Sequence, residues 1–391
     1  MPELKYFGLG SLLCLRRDIK GRRENPYRDH ERLKSMHIAQ IAPLTEAIPP
    51  KLYGGTERVV SWLTEELIAL GHEVTLFASG DSQTSAKLEA AWPRALRLDG
   101  AVRDPNALHM MMLERVYQRS SDFDVLHFHL DYYPFSLFAR QATPFVTTLH
   151  GRLDLPEHQP VFDTFNTVPV VSISNSQRRP LPQAHWVRTV HHGLPERLLM
   201  PKSIKPSYFA FLGRIAPEKG IDRAIRIAQH CCVPLKVAAK VDRADQDYYD
   251  EQIKPMMKAA NIEFIGEIND KDKSEFLSGA VALLVPIDWP EPFGLVMIEA
   301  MACGTPVIAF NRGSVPEVID DGLTGFIVED INGAIGAVDR LSHLSRAKIR
   351  THFEQHFTAR RMAQDYLGVY RSLADSLTPH LRLVTDDAPA L

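Results

Sequence analysis

The residues best suited to chemistry form a short carboxylate-containing segment in the second half of the sequence. Glu291 and Glu299 are separated by seven residues, and Phe293, Gly294 and Leu295 lie between them. We predict a helix from about Leu295, so backbone N–H groups near Gly294 are available to an anion. Each carboxylate can accept hydrogens from two hydroxyl groups, which suits a polyhydroxylated ligand. We expect both to border the same small cavity; a glycosidase acid/base pair is the competing, disfavoured interpretation.

Two cations lie in one loop at the end of a predicted strand. Arg214 and Lys219 are flanked by Gly213 and Gly220. Arginine can hold two phosphate oxygens at once, whereas lysine acts as a point charge. The loop therefore predicts support for a diphosphate, and the glycines on both sides argue against two ordinary solvated surface cations.

Two further candidates follow predicted strands of the first half. Gly54 and Gly55 precede a predicted helix that Thr56 can cap, and their N–H groups can approach a phosphate. This signal is weak alone, because the full GxGxxG spacing is missing. His150 ends the predicted strand Phe145–Leu149 and is a second candidate, although a histidine there is often a structural hydrogen bonder.

The remaining histidines and acidic pairs favour structural roles. We predict hydrogen-bonding roles for His127, His129 and the pair His191–His192, whose spacing differs from that of zinc sites. The pair in Asp122–Asp124 precedes a buried strand and is interpreted as a turn. We therefore predict neither a metal ion nor any other cofactor.

Length and composition limit the class of protein. A chain of 391 residues is too long for one ordinary core. A net charge of −3 disfavours nucleic-acid binding through bulk charge. The four cysteines form neither a zinc pattern nor a disulfide framework, which favours a cytoplasmic protein. Apolar runs are shorter than the ~20 residues that a membrane-spanning helix needs.

Alternating strands and helices divide the chain into two α/β halves. We predict one Rossmann-like domain over residues 36–195, a proline-containing linker over 196–207 and a second Rossmann-like domain over 208–357. A helical segment and tail occupy 358–391. Residues 1–35 mix apolar and basic positions, which leaves two interpretations. They form a disordered or dispensable leader, which we favour, or a weak anchor at the inner face of the membrane.

In combination these motifs resemble glycosyltransferase family 4, the retaining enzymes of the GT-B fold. The resemblance runs from about Met36 to Tyr370 and includes Glu291–Glu299 together with glycine-containing motifs in the family's order. Those motifs are Gly54-Gly55, His150-Gly151, Gly213-Arg214 with Lys219, and Gly304-Thr305-Pro306. The family's fold implies two Rossmann-like domains facing across a cleft and a C-terminal helix, near Arg361–Leu373, that crosses back to the first domain.

The resemblance implies a role for each candidate residue. Glu299 would bind the ribose hydroxyls, and Glu291 would contact the transferred sugar. The amides of Phe293–Leu295 would hold sugar and phosphate, and the cations Arg214 and Lys219 would neutralise the diphosphate. The remaining donor-binding positions would be Gly54, Gly55, Glu267 and Ile268, with His150 reaching the donor sugar. The segment Ala238–Asp242 departs from the family, which often has glycines there, so its cation and anion either touch phosphate or pair with each other.

The implied reaction moves a hexose from a nucleoside diphosphate sugar to an acceptor hydroxyl with retention. UDP-glucose is the first donor to test and GDP-mannose the second. The acceptor is a glycan, a lipid-linked sugar or a small metabolite, bound by the aromatic segment Asp131–Phe135 and the loop at 45–53. The alternatives are a sugar-nucleotide epimerase or phosphorylase on the same fold, and a non-catalytic nucleotide-sugar sensor.

Overall fold

A computed structural model describes residues 35–51, 54–258 and 261–377. The predicted leader and the end of the tail, residues 378–391, lie outside the described residues apart from Ser35. The contacts of the chain separate Met1–Ser35 from Met36–Leu391, and both β-sheets belong to the latter unit.

The first sheet contains seven parallel strands in the order β3-β2-β1-β4-β5-β6-β7 within the described residues. Its central strands are short apolar runs with both faces buried, as in a parallel sheet covered by helices on each side. The order in which successive strands are added to the sheet reverses between β1 and β4, which makes the carboxyl ends of these strands the expected ligand site. The strands are β1 His37–Ile41, β2 Glu73–Ser79, β3 Lys87–Trp92, β4 Val125–Phe128, β5 Phe145–Thr148, β6 Val170–Ser172 and β7 Trp186–Thr189.

The second sheet repeats this arrangement with six described parallel strands in the order β10-β9-β8-β11-β12-β13. The strand order of this sheet reverses between β8 and β11. Arg214 ends β8, Lys219 lies in the loop after it, and Glu291 lies in the loop after β11. The strands are β8 Tyr208–Arg214, β9 Leu235–Lys240, β10 Ile262–Phe264, β11 Ala280–Val285, β12 Val307–Phe310 and β13 Gly325–Val328.

Helices connect the strands in both halves. Two of them begin at the carboxyl ends of strands that border the cleft, namely α1 Gly55–Ala69 and α10 Leu295–Ala302. The first half also contains α2 Pro105–Gln118, α3 Phe135–Phe138, α4 His158–Thr164 and α5 Asn175–Arg178. The second contains α6 Ile221–His230, α7 Gln246–Tyr248, α8 Lys254–Met256, α9 Asp270–Ser278, α11 Val315–Val318, α12 Ile331–Val338 and α13 Arg346–His356.

The last described helix, α14 Ala359–Leu377, crosses from the second half to the first and packs against α1. Met362, Tyr366 and Tyr370 are fully buried at four-residue spacing, so one face of the helix is covered by the first half. This is the two-domain GT-B architecture expected from the sequence, including the crossing helix.

Two edge strands and one helix cap differ from the sequence predictions. Strand β3 is half-exposed and charged, and β13 is buried but only four residues long and begins with Gly325, so the sequence predicted neither. The prediction that Thr56 caps α1 is wrong. Helix α1 begins at Gly55, and its N-cap residue Gly54 has no side chain with which to cap it.

Candidate active site

Two adjoining cavities lie where the carboxyl ends of the strands from the two sheets meet. The larger, called the cleft cavity, has a volume of about 440 Å³, and the smaller, called the side cavity, about 140 Å³. Both are bordered by Gly55 from the first half and by Gly213 and Leu295 from the second. A ligand with two chemically different ends can therefore extend from one cavity into the other.

The twelve residues predicted to be catalytic or donor-binding each border one or both cavities. The cleft cavity is lined by Gly55, His150, Arg214, Lys219, Glu291, Phe293, Gly294 and Leu295. The side cavity is lined by Gly54, Gly55, Glu267, Ile268, Leu295 and Glu299. The expectation that Glu291 and Glu299 border the same cavity is wrong. Glu291 lies before α10 and faces the cleft cavity, whereas Glu299 extends from the body of α10 into the side cavity.

Gly294 determines where the backbone amides at the start of α10 lie. Its φ angle of 80° is in the left-handed region, and a Cβ atom there would lie 2.7 Å from the Met297 side chain. The neighbouring loop is held by Ser314, whose amide donates to the Glu291 carbonyl at 2.9 Å and whose hydroxyl donates to the Phe293 carbonyl at 2.8 Å. The amides are thus positioned by the backbone conformation of Gly294 and by the two hydrogen bonds from Ser314.

Arg214 contacts three carboxylates although its side chain is 30% exposed. It ends β8 and lies 2.5 Å from Glu218, 3.3 Å from Asp245 and 3.7 Å from Asp242. Asp242 also pairs with Lys240 at 2.8 Å. In the segment Ala238–Asp242, the Asp242 carboxylate therefore pairs with Lys240 and also contacts Arg214. Three acids hold the Arg214 side chain at the wall of the cleft cavity.

Lys219, Glu291 and Trp289 form a compact group in the wall of the cleft cavity. The Lys219 Nζ atom lies 2.5 Å from Glu291 Oε2, and the Trp289 indole N–H donates to the same oxygen at 3.0 Å. Lys219 also lies over the Trp289 ring, 4.6 Å from its centroid, in cation–π geometry. The sequence analysis missed Trp289, although it lies two residues before Glu291 in the same loop.

In the side cavity, charges link the two halves of the chain. Lys273 donates to Glu299 at 2.6 Å and lies 3.4 Å from Asp270. Asp270 in turn pairs at 2.6 Å with Arg58, which belongs to α1 of the first half. Arg58 and Lys273 both border the side cavity, and neither had a sequence motif that indicated it.

Two stacked histidines form the first-half wall of the cleft cavity. His150 and His192 have ring centroids 5.3 Å apart with an angle of 18° between the planes. Burial lowers the pKa of His150 to about 3 and that of His192 well below its usual value, so both rings are neutral near pH 7. Their Nδ1 atoms have no hydrogen-bond partner among the described residues. The sequence analysis predicted only a hydrogen-bonding role for His192 and did not predict that its ring lines the cleft cavity.

Clustered metal ligands and membrane-spanning helices are both absent from the described residues. Within residues 35–51, 54–258 and 261–377, no group of three histidine, cysteine or acidic side chains is arranged to hold a metal ion. Asp124 instead accepts a hydrogen bond from the His37 amide at 2.7 Å, and Asp122 pairs with Arg119. Among these same residues, no helix has both the length and the apolar character to cross a membrane.

Comparison with known proteins gives the same two halves. Residues 53–198 match the family model described as Glycosyltransferase Family 4, and residues 200–354 match the model described as Glycosyl transferases group 1. A phosphatidyl-myo-inositol mannosyltransferase of Mycolicibacterium smegmatis is 27% identical over 358 residues, which cover 81% of this chain and 89% of that protein.

Solved structures with similar folds extend over most of the described residues. Sucrose-phosphate synthase of Thermosynechococcus elongatus has a TM-score of 0.73 at 20% identity, covering 87% of this chain and all of that chain. HepE of Anabaena in complex with UDP-glucose has a TM-score of 0.65 at 17% identity and 86% coverage of this chain. The paired sheets, the crossing helix and the two family matches show that this chain is a glycosyltransferase of family 4 with the GT-B fold.

Proposed function

We propose that this glycosyltransferase moves a hexose from a nucleoside diphosphate sugar to an acceptor hydroxyl, with retention at the anomeric carbon and without a metal ion. This proposal rests on the two adjoining cavities, because one contains cations that suit a diphosphate and the other contains a carboxylate that suits a ribose. The cleft cavity contains cations and Glu291, whereas the side cavity contains Glu299 and Lys273.

The side cavity suits the nucleoside. Lys273 binds one oxygen of Glu299, which orients the carboxylate so that its other oxygen is available to the ribose hydroxyls. Glu267 and Ile268 border the same cavity, and we assign them to the base of the nucleotide. UDP-glucose is the first donor to test, a choice supported by the UDP-glucose complex of HepE, a protein of the same fold.

The cleft cavity suits the diphosphate and the sugar. A bound diphosphate would compete with Glu218 and Glu291 for Arg214 and Lys219, so these cations would exchange a carboxylate partner for phosphate oxygens. Their contribution grows as charge develops on the departing phosphate, and it therefore acts mainly in the transition state. Glu291, released in part from Lys219, could then accept hydrogens from the sugar.

Retention without a covalent intermediate requires no nucleophilic side chain. The bond between the anomeric carbon and the diphosphate breaks as the acceptor oxygen attacks from the same face. The departing phosphate oxygen takes the acceptor's proton. The chain contributes orientation and fixed charge, and closure of its two halves excludes water.

The acceptor would bind to the first half. In the segment Asp131–Phe135, Tyr132 and Tyr133 are each 42% exposed and stack with centroids 5.8 Å apart. An exposed aromatic pair suits a sugar ring, which supports a glycan, a lipid-linked sugar or a sugar-containing small metabolite as acceptor. The loop at 45–53, of which residues 52 and 53 lie outside the described residues, would form the opposite wall.

The proposal is tested by a screen of nucleoside diphosphate sugars with and without candidate acceptors. We expect one donor to release its nucleoside diphosphate faster when an acceptor is present, with the sugar recovered on the acceptor in the original anomeric configuration. Isomerised sugar without acceptor would instead identify an epimerase. Tight binding without turnover of any donor would identify a sensor.

Glu299→Gln provides a matched variant for this screen. Loss of a charged acceptor costs about 1.5–3 kcal/mol, so UDP affinity should fall at least roughly tenfold. Calorimetry with UDP alone measures this separately from turnover, and equal affinity in both proteins would remove the ribose assignment. Glu291→Gln should retain UDP affinity and lose turnover, because its proposed partner is the sugar.

A further inference from the structure

A chain of buried hydrogen bonds runs from the crossing helix to the wall of the cleft cavity. Gln40 of β1 lies at its centre, with His129 and His150 on one side and Tyr370 of α14 on the other. Gln40 and Tyr370 are both 0% exposed, and His129 is 3% exposed. Water therefore does not compete for these polar groups, and each hydrogen position is determined by its protein neighbour.

Tyr370 orients the side-chain amide of Gln40. The amide nitrogen donates to the Tyr370 hydroxyl at 3.1 Å. That hydroxyl lies 2.7 Å from His127 Nδ1, to which it can donate its own hydrogen, and His127 Nε2 lies 2.7 Å from Thr148 Oγ1. The carbonyl oxygen of Gln40 consequently faces away from Tyr370 and toward His129.

The amide orientation then determines the tautomers of two histidines in sequence. The Gln40 carbonyl oxygen, which can only accept, lies 2.8 Å from His129 Nε2, so that nitrogen carries the hydrogen. Burial keeps His129 neutral, so its Nδ1 atom is bare and accepts from His150 Nε2 at 2.9 Å. His150 is neutral as well, and its single hydrogen is used in that bond.

The consequence is a bare Nδ1 atom on a ring that borders the cleft cavity. This atom is buried and has no partner among the described residues. Because the atom is buried in the free protein, a ligand hydroxyl reaches it only when the His150 ring shifts toward the cavity, and the hydrogen bond then satisfies an acceptor whose unpaired burial is unfavourable. A ligand group that can only accept would find no hydrogen to bind.

We propose that Gln40 is a positioning residue that, through His129, holds His150 in the tautomer whose bare Nδ1 accepts a hydrogen bond from a hydroxyl of the transferred sugar. The sugar contact rests on the function proposed above, whereas the tautomer does not. Gln40 touches no substrate in this scheme and acts over two hydrogen bonds. The crossing helix contributes through Tyr370, which orients the amide.

The tautomer is measured in the free protein by ¹⁵N NMR of histidine-labelled samples, in which a protonated and a bare ring nitrogen have different chemical shifts. His150→Ala identifies the signals of His150. At pH 7.5 we expect a protonated Nε2 and a bare Nδ1 in the wild type, and a mixture of tautomers in Gln40→Met, which keeps the side-chain length without the amide. Tyr208→Phe is the matched control. It removes a part-buried hydroxyl that donates to the Phe276 carbonyl at 2.7 Å, outside this chain of hydrogen bonds, and should leave the His150 signals unchanged.

Two results would overturn the proposal at this stage. A protonated Nδ1 in the wild type would mean that the whole chain runs in the opposite sense. An unchanged tautomer in folded Gln40→Met would mean that His150 does not depend on Gln40. A thermal melt of each variant confirms that it is folded.

The sugar contact is measured with UDP-glucose analogues in which one hydroxyl is replaced by fluorine, which cannot donate. Wild-type kcat/KM should fall at least roughly tenfold further for one analogue than for the others. In Gln40→Met that selective loss should shrink to about threefold or less. Because fluorine changes the intrinsic reactivity equally for both proteins, comparing their ratios isolates the contact.

An unchanged ratio in Gln40→Met would refute the sugar contact even if the tautomer is as expected. If no sugar nucleotide is turned over, the proposed function fails, and the NMR spectrum still decides whether Gln40 sets the tautomer. The two failures are therefore distinguishable.

Discussion

Mild acid should destabilise the chain, because several histidines of its first half are buried in their neutral form. His127, His129 and His192 are 0%, 3% and 4% exposed, and burial holds the pKa of each well below its ordinary value of 6.5. In the unfolded chain each would bind a proton near pH 6.5. Unfolding therefore takes up protons as the pH falls, which lowers the free energy of unfolding.

The magnitude follows from the number of protons bound. Between pH 7.5 and 5.5 each such histidine lowers the free energy of unfolding by about 1.4 kcal/mol, and three lower it by about 4 kcal/mol. His150, which borders the cleft cavity and has a pKa of about 3, adds at most about the same share again. Because domains are stable by only about 5–15 kcal/mol, this loss is a large fraction of the total.

Urea unfolding at several pH values, followed by tryptophan fluorescence, measures this loss. Three of the four tryptophans lie in the first half, so the signal reports mainly on it; these are Trp62, Trp92 and Trp186. His192→Gln should reduce the change in unfolding free energy between pH 7.5 and 5.5 by about 1.4 kcal/mol, and His185→Asn, at an exposed position, should not. A wild-type change below about 1.4 kcal/mol between pH 7.5 and 5.5 would refute the reasoning, since one histidine alone would account for it.

Three further predictions concern the site. Arg214→Ala and Lys219→Ala should each reduce turnover at least tenfold with smaller effects on UDP affinity, because the cations act on developing charge; near-normal turnover in both folded variants would make them surface charges. Activity should persist in excess chelator, and a complete loss that magnesium or manganese restores would show that a metal ion carries the leaving group. Arg58→Ala and Asp270→Ala should each weaken UDP binding, with a coupling of about 0.5–1 kcal/mol in a double-mutant cycle; additive effects would separate the ion pair from the nucleotide site.

The order of the elements and the position of the site along the chain followed from the sequence. Parallel strands place their carboxyl ends at one edge of a sheet, so any residue that follows a central strand is close to the ligand site. Arg214, Glu291 and His150 could be identified in this way, because local patterns predict strands and helices. Edge strands such as β3 have a weaker pattern, since solvent replaces part of the protein that would otherwise bury them.

The partners of those residues were decided only by the tertiary structure. Glu291 lies 72 positions from Lys219, and Gln40 lies 330 positions from Tyr370, yet each pair is in hydrogen-bond contact. The sequence contains the residue types but not their distances, and a charge or a tautomer depends on neighbours within a few ångströms. The division into two cavities, the acids around Arg214 and the bare nitrogen of His150 therefore became visible only when packing had brought distant segments together.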